Sequence, residues 1–338
     1  MTLEKRIEAF AALGYALEHM SDHEREGLLA RVQNNNPWFT QENTEKALHA
    51  LQRYLKADKL RRWTQHYDLE AEPLKNVGVI MAGNIPLVGF HDMLSVLIAG
   101  HRLLAKPSSQ DAVLPKYVIS ILKEIAPELG DRVTFAQEPM KTMEAVIATG
   151  SNNSARYFEH YFNKFPNIIR KNRTSVAVLK GDETEEQMVA LGQDVFQYFG
   201  LGCRNVSKLF VPEGYDFIPL LDAWQVYQPI ISNSKYSNNY DYHKSIMLVN
   251  REAHLDTGFL MLKEEKELVS PTTVLYYEHY TDAFGLGERL AEHDDQIQCL
   301  VGQDMGHPRA VGFGEAQEPE LWDYADGVDT LAFLSQLK

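Results

Sequence analysis

Apolar residues recur at helical spacing from the start of the chain to about residue 68. Leu3, Ile7, Phe10, Leu13 and Leu17 form one such stripe, Leu28, Leu29 and Val32 a second, and Ala47, Leu48, Leu51 and Leu55 a third. The pattern predicts a helical cover, with Asn43-Thr44-Glu45 supplying cap residues for the third helix. The texture changes at Asn76. Val77 to Met81 is a short apolar run with β-branched residues, which predicts a buried strand, and Ala82-Gly83-Asn84-Ile85-Pro86 breaks it. Met93, Leu94, Leu97 and Ile98 predict a helix ending at Gly100, followed by a strand over Arg102 to Lys106 and a turn at Pro107-Ser108-Ser109. A further helix fits Leu114 to Ile125, and Val133 to Phe135 and Ala145 to Thr149 read as two more strands. This alternation predicts βαβ units and a largely parallel sheet. Right-handed crossovers would then place the loops 82–86, 107–110 and 149–154 along the carboxyl ends of the strands, where open α/β sheets bind ligands.

A second α/β block begins near Ser175. Ser175 to Leu179 reads as a strand, and Thr184 to Phe199 as a helix with Met188, Leu191, Val195 and Phe199 on one side. Gly200-Leu201-Gly202-Cys203 breaks that helix, and Val206 to Val211 resumes as a strand. Later strands are expected at Ser245 to Val249 and Thr272 to Tyr277. The polar, turn-rich run 231–244 is expected to form a surface loop or flap. No internal repeat or low-complexity segment stands out.

Composition narrows the classes. The chain has 338 residues, 44% hydrophobic and 24% charged, which is ordinary globular composition and room for two domains. The net charge of −14 argues against a broad nucleic-acid surface, although a local site can still bind a phosphorylated ligand. No apolar run approaches a membrane span, and the polar start Met1-Thr2-Leu3-Glu4-Lys5-Arg6 lacks the core of a signal peptide. Cys203 and Cys299 are the two cysteines, too few for a disulfide framework or a cysteine zinc site, which fits a cytoplasmic, reducing compartment.

Four features could carry chemistry. Cys203 follows Gly-Leu-Gly and precedes Arg204; glycines can expose a side chain, and a neighbouring cation favours the reactive thiolate. On pattern alone a buried small hydrophobe is the commoner fate of a free cysteine. Cys299 reads as a core position. Asn84, after the first strand, could offer a carboxamide to a developing oxyanion, or simply fill a turn. Lys106, at a strand end before Pro107-Ser108-Ser109, could reach ribose or phosphate oxygens, or stand solvated. Thr149-Gly150-Ser151-Asn152-Asn153-Ser154 joins a strand to a helix, so its backbone N–H groups could hold an anion or be ordinarily capped. GxGxxG, GxSxG, P-loop and HExxH patterns are absent, and His91-Asp92 and His243 lack metal-ligand spacing.

In this order the four features resemble the acyl-CoA reductase family related to the fatty-acid reductase of bacterial bioluminescence, within the aldehyde dehydrogenase superfamily. The resemblance runs through Ala82-Gly83-Asn84-Ile85-Pro86-Leu87-Val88-Gly89-Phe90-His91-Asp92, the lysine turn Leu104-Ala105-Lys106-Pro107-Ser108-Ser109 and the loop Ala148-Thr149-Gly150-Ser151. It continues through Gly202-Cys203 with Val206 to Glu213, and Glu267-Leu268-Val269-Ser270-Pro271. It covers roughly residues 76 to 338; each motif is loose, and their order carries the case.

The resemblance implies an α/β, aldehyde-dehydrogenase-like fold of two domains with parallel-rich sheets and an N-terminal helical segment. The expected divisions are 1–174 for the cover and NAD(P)-binding domain, 175–315 for the catalytic domain, and 316–338 for a tail packing back on the core. It implies that Cys203 is the nucleophile and Asn84 an oxyanion donor. Lys106, Ser108, Ser109, Thr149, Gly150, Ser151 and Glu267 would position the cofactor, with Lys106 at the adenosine ribose and Glu267 at the nicotinamide ribose.

Two departures refine this. Arg170-Lys171-Asn172-Arg173-Thr174-Ser175 holds no carboxylate where hydrolytic relatives carry a general-base glutamate, so exchange with CoA is favoured over hydrolysis to an acid. Ser109 stands where NAD-specific relatives often have a glutamate, which tilts the cofactor toward NADPH, with NADH as the alternative and no metal. The implied function is reduction of an acyl-CoA substrate to an aldehyde through an acyl-cysteine. The alternatives are an acyl-phosphate reductase, an NAD-dependent short-chain acylating aldehyde dehydrogenase, or a nonenzymatic ligand-binding or complex-forming subunit. The chain is shorter than most relatives and its oligomerisation arm looks reduced, so a tetramer is not carried over and a homodimer stays open.

Overall fold

A computed structural model describes residues 1–70, 73–136 and 142–337. The chain divides into two compact units, Met1–Asn172 with Glu320–Lys338, and Arg173–Pro319. The sequence pattern sets its boundaries at 174/175 and 315/316, and Lys338, the end of the expected tail, lies outside the described residues.

The first unit opens with four helices, α1 (Leu3–Glu18), α2 (Asp22–Asn35), α3 (Gln41–Tyr54) and α4 (Ala57–Thr64). Ile7, Phe10, Leu13 and Leu17 of α1 are buried, as their spacing predicts. Thr2 and Ser21 cap α1 and α2 through their hydroxyls. The cap of α3 is Thr40, whose Oγ1 accepts from the N–H of Asn43 at 3.2 Å. The Asn43-Thr44-Glu45 assignment is therefore corrected: a hydroxyl three residues upstream reaches the free N–H first, and Asn43 and Thr44 are buried inside the helix.

There follow β1 (Asn76–Ile80), α5 (Phe90–Ile98), β2 (Arg102–Lys106), α6 (Val113–Ile125), α7 (Pro127–Gly130), β3 (Val133–Phe135), β4 (Ala145–Thr149), α8 (Asn152–Phe162) and β5 (Asn167–Arg170). The sheet order is β3-β2-β1-β4-β5, and every pairing is parallel. The sequence pattern does not mark β5, a short edge strand with little apolar signal. Winding runs outward from β1 through β2 to β3, then restarts at β4 on the other side of β1. That reversal opens a crevice at the carboxyl ends of β1 and β4.

The second unit contains β6 (Thr174–Val178), α9 (Glu185–Phe196), β7 (Val206–Pro212), α10 (Ile218–Ala223), α11 (Ser234–Asn250), β8 (Leu255–Asp256), β9 (Met261–Glu264), β10 (Val274–Tyr280), α12 (Ala283–Glu292), β11 (Ile297–Val301) and β12 (Ala310–Val311). Its sheet runs β12-β11-β6-β7-β10-β9-β8, parallel throughout except for β8 against β9. Leu191, Val195, Phe196, Leu220 and Trp224 pack with Leu209 and Val211 in the larger core of this unit. A smaller cluster joins Leu286 of α12 to Val176, Val178, Phe210 and Leu300. Trp224 Nε1 donates to the Met188 carbonyl at 2.7 Å, which satisfies the one polar group of a fully buried ring.

Two expectations fail in this unit. The flap over 231–244 and the strand over Ser245 to Val249 are one helix, α11, preceded by a 3-10 segment over Trp224–Ser232. The Asn233 side chain caps α11 by accepting from the N–H groups of Lys235 and Tyr236. Tyr236, Tyr240 and Met247 bury one side at helical spacing, while Val249 is 82% exposed. The β-branched signal of the last turn is thus overridden by a helix already nucleated upstream.

The chain returns to the first unit through α13 (Thr330–Ser335). Leu321, Leu331 and Leu334 join the core of that unit, and the imidazole nitrogens of His91 and His101 pair with the carbonyls of Leu321 and Leu334.

Candidate active site

The sequence-assigned residues of the first unit share one edge of its sheet. Ile80 pairs with Lys106 on one side and Ala148 on the other, so the loops leaving β1, β2 and β4 start from a single rung. Asn84 is exposed on the first loop. A Cβ at Gly83 would stand 2.6 Å from Cβ and Oγ of Ser108, so only glycine lets the 82–87 loop lie against the 107–111 turn. Lys106 and Ser109 are exposed. Ser108 Oγ accepts from the N–H of Gln110 at 3.2 Å. Asn35 of α2 donates to the Ser109 carbonyl at 3.2 Å, which ties the turn to the helical cover. Thr149 and Gly150 are half-buried, and Ser151 is the N-cap of α8, accepting from the N–H of Ser154.

Asp111 was not marked by the sequence pattern, yet it braces the Asn84 loop. Its buried Oδ2 accepts from the N–H of Leu87 at 2.7 Å, and Leu87 holds a left-handed φ of 59°. Burial raises the carboxyl from 3.8 to about 7, and the Leu87 N–H only partly offsets it. The folded form therefore binds a proton that the unfolded form has released. Stability from this group is present below pH 4 and is lost as pH rises from about 4 to about 7, on the order of 4 kcal/mol at about 1.4 kcal/mol per unit. Asp111→Asn keeps an acceptor for Leu87 and should remove that slope. Urea unfolding of both proteins across this range checks it, and parallel pH profiles would refute it.

In the second unit α9 ends at Phe196, and the chain then passes Tyr198 at φ 53° and Phe199 at φ 60°. Two successive non-glycine residues in the left-handed region cost about 1–2 kcal/mol each, so the surroundings must hold them. Asn205 does much of this. It is 2% exposed, its Oδ1 accepts from the N–H of Gly202 at 2.8 Å, and its Nδ2 donates to the carbonyls of Asp194 at 3.0 Å and Gln197 at 2.8 Å. Cys203, half-buried, sits inside this clamp. Its carbonyl accepts from Ser175 Oγ at 3.1 Å, and the same Oγ accepts from the N–H of Cys299 at 3.1 Å. Cys299 is buried in β11, and Arg204 Nη1 lies 3.1 Å from its Sγ. Asp194 braces the segment after β12, accepting from the N–H groups of Gly314 and Ala316; burial raises it to about 6.

Asn205→Ala would leave the Gly202 N–H and two helix-end carbonyls without these partners. It should cost about 2–4 kcal/mol in urea unfolding. A loss below about 0.5 kcal/mol would mean that other contacts hold the loop.

Glu267 is exposed on the connection from β9 to β10. Other polar residues near the sequence motifs are structural. Asp92 is ion-paired to Arg170 at 2.5 Å within the first unit, and Arg170 also donates to Thr330. Among the described residues no group of three or more His, Cys, Asp or Glu could hold a metal ion. A cavity of about 630 Å³ in the second unit, walled by Val178, Leu286, Leu290, Leu300 and Met305, takes in none of the assigned residues.

The family model described as acyl-CoA reductase (LuxC) matches residues 16–217. The chain belongs to the LuxC acyl-CoA reductase family. It is thus an oxidoreductase of acyl and aldehyde groups. The match spans the Asn84, Lys106 and Thr149 loops, the Cys203 loop and β7, and stops short of Glu267. A comparison with the curated proteins finds no match.

Among solved structures, the NAD+ complex of an aldehyde dehydrogenase from Bacillus cereus is 15% identical, covering 90% of this chain and 73% of that one, with a TM-score of 0.62. Betaine aldehyde dehydrogenase from Staphylococcus aureus in complex with NAD+ is 13% identical, covering 90% and 72%, with a TM-score of 0.65. A Mycobacterium tuberculosis aldehyde dehydrogenase complexed with NAD+ is 14% identical, covering 89% and 73%, with a TM-score of 0.62. At these identities the likeness is one of fold, and the fold of this acyl-CoA reductase is that of the aldehyde dehydrogenases.

Proposed function

We propose that the protein reduces an acyl-CoA thioester to an aldehyde through an acyl intermediate on Cys203, with NADPH as reductant. The observation that carries this reading is the Cys203 loop: a half-buried thiol that follows the left-handed Tyr198-Phe199 turn and is held by Asn205 and Ser175, inside the range matched by the acyl-CoA reductase family. Such a loop spends folding energy to present one side chain, as sites of covalent catalysis do.

The donor set fits a nicotinamide dinucleotide. The crevice edge of the first unit offers the Lys106 cation and the Ser108, Ser109, Thr149 and Ser151 hydroxyls, with Gly150 between the last two, where the missing Cβ leaves room for Ser154 and Phe158 of α8. Glu267 is an acceptor for ribose hydroxyls. Aldehyde dehydrogenases of the same fold bind NAD+, which supports the cofactor class. Ser109 in place of an acidic residue favours a 2′-phosphate. Reduced nicotinamide, when bound, supplies hydride.

The Cys203 sulfur attacks the thioester carbonyl carbon, and the carbonyl oxygen takes the developing negative charge. Asn84 and the Cys203 N–H donate to that oxygen. The carbonyl re-forms as the bond to CoA sulfur breaks, which leaves an acyl-cysteine and free CoA. In the reductive half Cys203 is the leaving group, and it departs as thiolate when the aldehyde carbonyl forms. The stretch Arg170 to Ser175 holds no carboxylate, and the Asp92 carboxylate nearby is taken up in its ion pair with Arg170, so hydrolysis of the acyl-cysteine is disfavoured.

Intact-mass spectrometry after treatment with acyl-CoA in the absence of reductant tests the reading. An acyl increment on Cys203 supports it. An adduct from an acyl phosphate but not from acyl-CoA would assign the donor differently, and no adduct from either would reject the covalent route.

A further inference from the structure

β7 reads Val206-Ser207-Lys208-Leu209-Phe210-Val211, and the Lys208 side chain is completely buried. An ammonium is removed from water at a cost of several kcal/mol unless its three N–H donors all find acceptors. Here they do. Lys208 Nζ donates to the carbonyl of Glu265 at 2.9 Å, to the carbonyl of Lys266 at 2.9 Å, and to the Glu278 carboxylate. Arg289 donates to the same Lys266 carbonyl at 2.6 Å and to Glu278 at 3.2 Å. One residue before Lys208, Ser207 Oγ donates to the carbonyl of Leu268 at 2.6 Å, and the Leu268 side chain is buried. The carbonyls of 265, 266 and 268 are thus all tied down, and Glu267 between them is left exposed. The strand that does this begins just after the Cys203 loop.

We propose that Lys208 is a positioning residue that fixes the Glu267 loop for the nicotinamide cofactor, an inference resting on the assignment of Glu267 to the cofactor ribose. An apolar side chain at 208 could fill the space but could not gather two carbonyls and a carboxylate at one point. The carbonyl ties fix the backbone on both sides of Glu267, so less ordering is required when the cofactor binds. Because one strand follows the thiol loop and also holds the glutamate loop, the two are kept in register with each other.

The test measures KM for NADPH, kcat, and the rate of Cys203 acylation by acyl-CoA without NADPH. Lys208→Met should raise the KM for NADPH by about tenfold or more while acylation changes by less than about threefold. Lys208→Arg, which keeps a cation and several donors, should recover part of that loss. Ser207→Ala, a milder change, should raise the KM by roughly threefold and serves if Lys208→Met does not fold. Glu267→Ala is the reference, and adding Lys208→Met or Ser207→Ala to it should raise the KM no further. A raised KM in Glu267→Ala with an unchanged KM in folded Lys208→Met, or additive effects in the double variants, overturns the clamp alone. An unchanged KM in Glu267→Ala overturns the ribose assignment and the clamp with it.

Discussion

Cys203→Ala should reduce acyl-CoA-dependent oxidation of NADPH by roughly 10⁴-fold or more, because a covalent route without its nucleophile keeps only what binding and orientation contribute. The same variant should give no acyl increment in the intact-mass measurement. Cys203 is half-buried, and its main-chain carbonyl, which Ser175 holds, is retained in alanine. Loss of the Sγ should therefore cost stability only about 1 kcal/mol, and the melting temperature should move by a few degrees at most. A Cys203→Ala protein that still turns over acyl-CoA near the parent rate would remove the thiol from the mechanism. Cys299→Ala is the control: Cys299 is buried in β11, so it should act on stability and leave the acyl adduct in place.

Asn84→Ala should lower kcat by about 10²–10³-fold, the range for loss of one side-chain donor to an oxyanion. The bond strengthens as charge develops on the carbonyl oxygen, so KM for acyl-CoA should change little. Both half-reactions pass through a tetrahedral oxyanion, so acylation without NADPH and the complete turnover should slow together. The loop should stay folded in this variant, because Asn84 is exposed and the Asp111–Leu87 bond and the fit of Gly83 against Ser108 also hold it. A variant with parent-like kcat would reassign oxyanion stabilisation to backbone donors.

Much of this protein was legible in its sequence. Helical spacing in Leu3 to Leu17 and the alternation of short apolar runs with amphipathic helices predict the cover and the parallel sheets, because burial of those faces has few solutions. The motif order points to the aldehyde dehydrogenase fold and the acyl-CoA reductase family. Local propensity misleads where a longer element overrides it. Ser245 to Val249 looks like a strand and is the last part of α11, because Tyr236 and Tyr240 had already set a helical face.

The supports of the candidate site were not legible. Asn205, Asp111 and Ser175 are common polar residues in unremarked positions, and each acts on partners that only folding brings to it, such as Leu87 for Asp111 and Cys299 for Ser175. Lys208 did leave a signal, a lone cation in an apolar strand, but its acceptors at Glu265 and Lys266 lie more than fifty residues away in the chain. The sequence by itself determined most of the elements and the family, because periodicity and motif order are local properties. The tertiary structure alone decided which buried polar groups hold the Cys203, Asn84 and Glu267 loops. That choice is made by desolvation, which forces each buried donor or acceptor to find its partner wherever the fold provides one.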